Sequence, residues 1–138
     1  MAVNTQFSIA VHLLAALGCR EGQDTTSGYL AQSVNTSPSF VRRTLAKLSK
    51  AGLVETTMGK SGACRLARKP GQVSLLDVYQ AVDAPKAFAI HTYAPQKPCV
   101  VSCNIKLALE NALNKTQNAM EASLAKITLA DIVHDLKK

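Results

Sequence analysis

The chain of 138 residues contains no tryptophan, only three phenylalanines and only three tyrosines. Large β-sandwiches and β-barrels depend heavily on aromatic side chains for packing, so this scarcity argues against both classes. Apolar residues as a whole are not scarce, because 47% of the chain is hydrophobic and only 18% is charged. This composition can supply the core of one domain, and it favours helices.

Long apolar runs are also missing. No stretch approaches the roughly 20 consecutive apolar residues that a membrane-spanning helix needs. The first residues do not show the basic segment, apolar segment and cleavage site of a secretory signal. We therefore expect a cytoplasmic protein without a membrane partner. The four cysteines fit a reducing compartment, because a chain with this much apolar material does not need disulfides.

Acidic residues are scarce where basic residues are concentrated. The chain has 16 Lys and Arg against nine Asp and Glu, which gives a net charge of +7. From Arg42 to Lys69 there are eight basic residues and one acidic residue, Glu55. A polyanion such as nucleic acid is the natural partner of this segment.

Apolar periodicity predicts three helices in the first half of the chain. The first covers about residues 5–17 and is expected to end at Gly18, and a short second helix covers 26–34. A third helix is expected to begin at 37–38, where a serine can cap it and a proline suits the first helical position. Gly52 then ends this helix as a left-handed cap.

A hairpin follows the third helix. Residues 53–58 and 63–66 are strand candidates, and 59–62 form the turn between them. A helix-turn-helix followed by a basic hairpin is a winged helix. The predicted fold is therefore mainly α with a small β-hairpin wing.

The third helix has one apolar face and one cationic face. Reading a duplex needs side chains near the start of a groove-binding helix and cations that neutralise phosphates. A merely solvated basic face is the alternative interpretation. The predicted DNA-binding residues are Ser37, Ser39, Phe40, Arg42, Arg43, Lys47, Lys60 and Arg65.

The second half is dominated by one long periodic segment. A short helix begins at a capping box at 74–77, an unpatterned loop covers 85–98, and a long helix covers about 100–126. That helix would be about 38 Å long, more than a small winged helix can cover, so it is expected to pack on a second chain. A second capping box at 128–131 opens a short last helix. The predicted dimer contacts are Ile105, Leu109, Leu113, Met120 and Leu124.

These elements predict three segments. A winged helix-turn-helix DNA-binding domain covers 1–84, and a connecting loop covers 85–98. The long C-terminal dimerisation helix and the short last helix cover 99–138.

Catalysis has little support in the sequence. His12, His91 and His134 are scattered without metal-ligand spacing. Neither a Gly-rich phosphate loop nor a nucleophile-elbow motif is present. We therefore expect that the protein is not an enzyme.

Two of the four cysteines lie near the start of the long helix. Cys99 follows Pro98, where free N–H groups and the helix dipole favour a thiolate, and Cys103 lies four residues further on. We predict that Cys99 and Cys103 sense redox state. Zinc or an iron-sulfur cluster needs three or four soft ligands, so no metal or cofactor is assigned. Two alternatives stay open, namely ordinary thiols and a metal site that also recruits Cys19 and Cys64.

Six stretches form a pattern that is specific in order and spacing. They are 7–14 (FSIAVHLL), 33–43 (SVNTSPSFVRR), 48–54 (LSKAGLV), 59–63 (GKSGA), 73–82 (VSLLDVYQAV) and 128–131 (TLAD). Together they resemble the Rrf2 family of bacterial winged-helix transcription regulators, and most of all its YwnA-like branch. The resemblance implies a homodimer that exchanges the long helix and reads a near-palindromic operator in double-stranded DNA, with one half-site for each winged helix.

Three features depart from that family pattern, one of them being that the family's recognition helix often has an acidic residue where Arg42 stands here. Cluster-binding members carry three cysteines with five residues between neighbours, whereas Cys99 and Cys103 have three residues between them. The family wing typically reads Arg-Gly-x-x-Gly-Gly-Tyr and sends its Arg into the minor groove. Here residues 58–64 read MGKSGAC, so a minor-groove contact would fall to Lys60 or Arg65.

The sequence thus predicts a homodimeric, sequence-specific transcription regulator, more often a repressor in such families, controlled by a cysteine thiol. Two rival hypotheses are a winged-helix module that binds protein through its long helix and a regulator that senses through an iron-sulfur cluster. Steep salt dependence of binding would favour DNA over a protein partner.

Overall fold

The computed structural model describes residues 5–56 and 63–137. Six helices, three short strands and one 3-10 turn form in this part of the chain. In chain order they are α1 (Gln6–Cys19), β1 (Thr25–Thr26), α2 (Ser27–Val34), α3 (Pro38–Lys50), β2 (Val54–Thr56), β3 (Ala63–Leu66), the 3-10 turn (Pro70–Gln72), α4 (Leu75–Ala81), α5 (Val100–Ala125) and α6 (Leu129–Leu136). The prediction of a mainly helical fold with a small β wing is confirmed.

The sheet has three antiparallel strands in the order β1-β3-β2. The central strand β3 pairs Cys64 with Thr25 of β1, and it pairs Arg65 with Glu55 of β2. The Cys64 thiol also donates a hydrogen bond to the carbonyl oxygen of Thr25 at 3.3 Å. Sequence patterning predicted the hairpin strands but not β1, which has only two residues.

Gly18 does not end the first helix. The helix continues to Cys19, and the interpretation of Gly18 as a terminator is wrong. Gly18 is buried, and a Cβ at this position would lie 3.0 Å from Cγ2 of Val133 in α6. The glycine therefore allows α1 and α6 to approach each other closely.

Helices α4 and α6 begin side by side in matching capping boxes. The Ser74 hydroxyl accepts the Asp77 N–H and the Asp77 carboxylate accepts the Ser74 N–H; Thr128 and Asp131 repeat the arrangement. Ser74 and Thr128 also form an antiparallel bridge. Both capping predictions are confirmed, and each satisfies backbone N–H groups that a helix start leaves without partners.

The chain separates into two compact units, Met1–Ala84 with Leu124–Lys138 and Pro85–Ser123. The first unit has one hydrophobic core, to which α1 contributes Leu13, Leu14 and Leu17, and α3 contributes Val41 and Leu48. The second unit contains most of α5 and the segment before it. No helix within the described residues is long and apolar enough to cross a membrane.

Candidate nucleic-acid interface

Helix α3 begins as its sequence predicts. Ser37 has extended backbone geometry and its Oγ accepts the Phe40 N–H at 3.3 Å, while Pro38 occupies the first turn. The turn before α3 uses Asn35, whose φ of 69° places it in the left-handed region after α2. Asparagine tolerates this conformation better than most residues do. Helices α2 and α3 therefore form the helix-turn-helix.

One face of α3 is buried and the other is exposed and cationic. Val41, Thr44, Leu45 and Leu48 are buried. Pro38–Lys50 contains no acidic residue, so no carboxylate on α3 opposes its positive charge. The exposed polar residues of α3 and its cap are Ser37, Ser39, Arg42, Arg43, Lys47 and Lys50. The DNA-binding residues predicted on α3 and its cap are therefore exposed, except for Phe40, which is half-buried.

The three predicted cations of α3 differ in their surroundings. The Arg43 guanidinium lies over the Phe40 ring at 5.7 Å from its centroid. The Lys47 ammonium donates to Oε1 of Gln6 at 3.1 Å, which fixes it beside the start of α1. Arg42 lines a surface cavity of about 510 Å³ together with residues of α2, α3 and β2.

Arg65 faces carboxylates. Its Nε lies 3.7 Å from Oε2 of Glu55 and 3.9 Å from Oδ1 of Asp24. Glu55 is its cross-strand neighbour on β2, whereas Asp24 directly precedes β1. Arg65 therefore connects the central strand to segments on both sides of it. Lys60, the other predicted wing contact, lies outside the described residues.

Sequence reasoning missed three partners of these cations. Glu55 was recognisable from the predicted hairpin, because antiparallel pairing of β2 with β3 brings it opposite Arg65. Gln6 and Asp24 carry no comparable signal, since each lies about 40 residues from its partner along the chain. Only the packing of α1 and β1 against the rest of the unit brings them together.

The predicted redox cysteines lie at the start of α5. Cys99 directly precedes the helix, and its Sγ accepts the Ser102 N–H at 3.4 Å, as a capping side chain does. The Cys103 N–H donates to the Cys99 carbonyl at 3.0 Å. Both cysteines are exposed, and neither forms a disulfide.

Helix α5 has 26 residues, about 39 Å in length, and Gln117 is its only buried residue. The predicted dimer contacts Ile105, Leu109, Leu113, Met120 and Leu124 are all half-buried in one chain. Val100, Val101 and Leu107 are more exposed still, at 75%, 66% and 65%. This helix thus keeps a large apolar surface in contact with solvent.

The architecture has a clear match among known proteins. A family model, Rrf2, described as an iron-dependent transcriptional regulator, matches residues 3–135. The chain belongs to the Rrf2 family. The resemblance drawn from the six sequence stretches is confirmed.

Individual relatives agree with this assignment. YwnA of Bacillus subtilis (strain 168), a candidate HTH-type transcriptional regulator, is 36% identical over 97% of this chain and 98% of its own length. The HTH-type transcriptional regulator NsrR of Geobacillus kaustophilus (strain HTA426) is 25% identical, covering 98% of this chain and 91% of its own. The crystal structure of a candidate transcriptional regulator from Lactobacillus plantarum has a TM-score of 0.79 at 28% identity, covering 96% of this chain and 90% of that chain.

This Rrf2 protein is a DNA-binding transcription regulator with a winged-helix fold. The relatives described here are named as transcription regulators rather than as enzymes, in line with the sequence prediction. The cationic face of α3 gives this assignment a physical basis, because it combines exposed hydrogen-bonding side chains with unopposed positive charge.

The family description raises the question of iron. An iron-sulfur cluster is usually held by four protein ligands, and a zinc or iron centre by at least three. Within residues 5–56 and 63–137, no group of three or more His, Cys, Asp or Glu side chains is placed to hold a metal ion. The described residues of one chain therefore do not fit an iron centre.

Proposed function

We propose that this regulator is a homodimeric repressor that reads a near-palindromic operator and responds to oxidation of Cys99. The exposed cationic face of α3 is the observation that carries the proposal. Ser37, Ser39 and Phe40 at the helix start, with Arg42 and Arg43 in the next turn, lie nearest the bases. In helix-turn-helix proteins the first residues of the recognition helix contact base edges in the major groove.

The remaining cations contact the DNA backbone or support the wing. Lys47 binds phosphate from a position fixed by Gln6. Lys60, which lies outside the described residues, is the second proposed phosphate contact. Arg65 holds the strands of the wing together through Glu55 and Asp24. Ion pairs this exposed contribute little to folding stability, so the role of Arg65 is to orient the wing rather than to stabilise the fold.

The apolar surface of α5 supports the dimer. In one chain this helix buries a single residue and leaves Val100, Val101 and Leu107 exposed, and exposed apolar side chains on one helix are typical of an interaction surface. A second copy that packs α5 against α5 covers that surface, with Ile105, Leu109, Leu113, Met120 and Leu124 at the contact. The two recognition helices are then related by a twofold axis, so the operator takes the form of an inverted repeat.

The capping position of Cys99 supports a thiol switch. Hydrogen peroxide oxidises the Cys99 thiol to sulfenic acid as its O–O bond breaks and water is released. The added oxygen disturbs the bond from the Ser102 N–H, which lies 3.4 Å from the sulfur at the start of α5. Because α5 carries the dimer contact, a change at its start alters the spacing of the two recognition helices. Condensation of the sulfenic acid with the Cys103 thiol releases a second water and gives a disulfide.

The DNA part of the proposal is tested by selecting duplexes from a random library with the full chain. We expect an inverted repeat, and light scattering should give the mass of two chains per duplex. Repression predicts that the protein lowers transcription in vitro from a promoter containing the selected sequence. A single half-site bound by one chain would refute the dimer, and increased transcription would refute repression.

The thiol switch is tested with Cys99→Ser, with Cys19→Ser as the matched control at another exposed cysteine. Mild peroxide should weaken operator binding by the wild type and by Cys19→Ser but not by Cys99→Ser. Mass spectrometry should locate the added oxygen, or a disulfide, at Cys99. An equal peroxide response in Cys99→Ser would rule out this switch without affecting the assignment of the DNA interface.

A further inference from the structure

A cavity of about 440 Å³ lies between α1, α2 and α6, away from the exposed face of α3. Its apolar lining includes Val11, Ala15 and Ala16 from α1 and Ile132 from α6, with exposed Leu136 at the edge. A volume of several hundred Å³ is typical of sites for small organic molecules. We call this cavity the α1-α2-α6 pocket.

Polar side chains of α1 and α2, together with Arg20, line part of the α1-α2-α6 pocket. His12 Nε2 and Ser33 Oγ form a hydrogen bond of 2.9 Å across α1 and α2. The Arg20 guanidinium lies 4.5 Å from the centroid of the Tyr29 ring, and its Nε donates to Thr25 Oγ1 at 3.1 Å. A few polar groups beside an apolar lining are the usual arrangement that orients a ligand.

The charge in this pocket has one sign. Arg20 is the charged residue among the described residues that line it, and none of those residues is acidic. With Nε bonded to Thr25, the two Nη groups of Arg20 can still donate to a ligand. An arginine at the edge of an apolar cavity suits a carboxylate, which accepts two parallel N–H bonds from a guanidinium.

We propose that the α1-α2-α6 pocket binds a small organic carboxylate with an apolar body. Arg20 binds the carboxylate, His12 and Ser33 provide further hydrogen bonds, and Val11, Ala15 and Ile132 contact the apolar part. The charge complementarity of Arg20 selects this occupant over a neutral apolar molecule or an amine.

Ligand binding at this pocket affects DNA binding through α2. Tyr29 and Ser33 both belong to α2, which the turn at Asn35 connects to α3. A carboxylate that competes for the His12–Ser33 bond changes the packing of α2 on α1 and hence the position of α3. This coupling rests on the proposed reading of DNA by α3, whereas ligand binding itself depends on neither the dimer nor the thiol. Operator DNA must alter carboxylate affinity by the same factor.

The test uses octanoate as the probe and isothermal titration calorimetry on the full chain. Octanoate should bind with one site per chain. Octylammonium has an apolar body of similar length with the opposite charge, and acetate has the carboxylate without the body. Neither should bind measurably, because each lacks one of the two features that the pocket recognises.

Two variants locate the site. Arg20→Gln should weaken octanoate binding about tenfold or more, because it removes the charged hydrogen bond to the carboxylate. Arg20→Lys keeps a charged donor and should retain part of the affinity. Ala16→Leu fills the pocket and should abolish binding without removing a charge. Lys126→Gln removes a cation outside the pocket and should bind as the wild type does.

Three results would overturn the proposal. They are equal binding of octanoate and octylammonium, unchanged binding in both Arg20→Gln and Ala16→Leu, and failure of octanoate to slow alkylation of Cys19, which lines the pocket. Protection of Cys19 in the ligand-free dimer would assign the pocket to a second copy instead. Operator affinity is measured separately, so a DNA interface that fails and a ligand site that fails give different results.

Discussion

Gly18 of α1 lies against Val133 of α6 so closely that an added Cβ would stand 3.0 Å from Cγ2 of the valine. Alanine inside a helix normally stabilises a protein by about 1 kcal/mol relative to glycine. At Gly18 this gain is opposed by the displacement of a stiff, β-branched neighbour. The close approach explains why a glycine occupies the last turn of α1.

A double-mutant cycle measures this relationship. Gly18→Ala should stabilise the Val133→Ala protein by about 1 kcal/mol, because the obstructing methyl groups are gone. In the wild-type background the same change should stabilise the protein less or destabilise it. Urea unfolding of the four chains gives both values. Equal effects in the two backgrounds would show that the contact does not constrain position 18.

Burial raises the pKa of the Cys64 thiol from 9.0 to about 11, and the negative charge of Asp24 adds to the effect. Cys64 of β3 is fully buried and its thiol donates to the Thr25 carbonyl of β1, so its protonated form is the one that the fold accommodates. Since the unfolded chain releases this proton at lower pH, the free energy of unfolding should fall between pH 9 and pH 11.

Unfolding by urea at several pH values tests this prediction for Cys64, with Cys64→Ala as the control. The wild type should lose stability relative to Cys64→Ala as the pH rises through that interval, because lysine titration is common to both chains. In the native wild type, iodoacetamide should label Cys19, Cys99 and Cys103 but spare Cys64. Parallel stability curves would contradict the pKa direction.

Helix starts could be predicted from the sequence because their causes are local. Ser37 and Pro38 fix the start of α3, and the boxes at Ser74 and Thr128 fix α4 and α6, all within four residues of chain. Gly18 was misinterpreted for the same reason, since a glycine late in a helical pattern resembles a terminator. Only the packing of α6 explains its place.

The candidate site was predictable in part. The cationic face of α3 follows from the helical spacing of the apolar residues on its opposite face, so its cations could be predicted from the sequence. Strand β1 has two residues and no local signal, and it brings Asp24 to Arg65 through pairing with β3. The pairing of Lys47 with Gln6 likewise depends on how α1 packs. Domain boundaries and the contact residues themselves stay predictions.

Ser37 allows stability and DNA binding to be separated. Its Oγ accepts the Phe40 N–H, so Ser37→Ala should cost about 1 kcal/mol of folding free energy. Aspartate also caps helices well, and Ser37→Asp should keep the stability of the wild type. It places a negative charge at the DNA-facing start of α3, however, and should weaken operator binding strongly.

Thermal unfolding and fluorescence anisotropy with the selected duplex give the two quantities for each Ser37 variant. Thr128 caps α6 rather than α3. The corresponding variants Thr128→Ala and Thr128→Asp therefore serve as the control. Both Thr128 variants should bind DNA as the wild type does. Unchanged DNA affinity in Ser37→Asp would remove the start of α3 from the interface.

Loss of the positive charge at Arg42 and at Arg65 should have different effects on operator affinity and on its salt dependence. Each phosphate contact contributes about 0.9 to the slope of log affinity against log salt. Arg42 has no acidic neighbour on α3, whereas Arg65 lies within 3.9 Å of both Asp24 and Glu55. Arg42→Gln should weaken operator binding by about tenfold or more and change the preferred bases, because it removes the base contact proposed for Arg42.

Arg65→Gln should leave the salt slope within error of the wild type, because two carboxylates already neutralise its charge. Glu55→Gln provides the opposite test, since it frees Arg65 from one of them. If Arg65 can reach a phosphate once released, Glu55→Gln should steepen the slope by up to about one and strengthen binding. Anisotropy titrations over a range of potassium chloride concentrations measure all three variants. A slope lowered by Arg65→Gln would instead make Arg65 a phosphate contact in the wild type, and the wing would then contribute charge as well as shape.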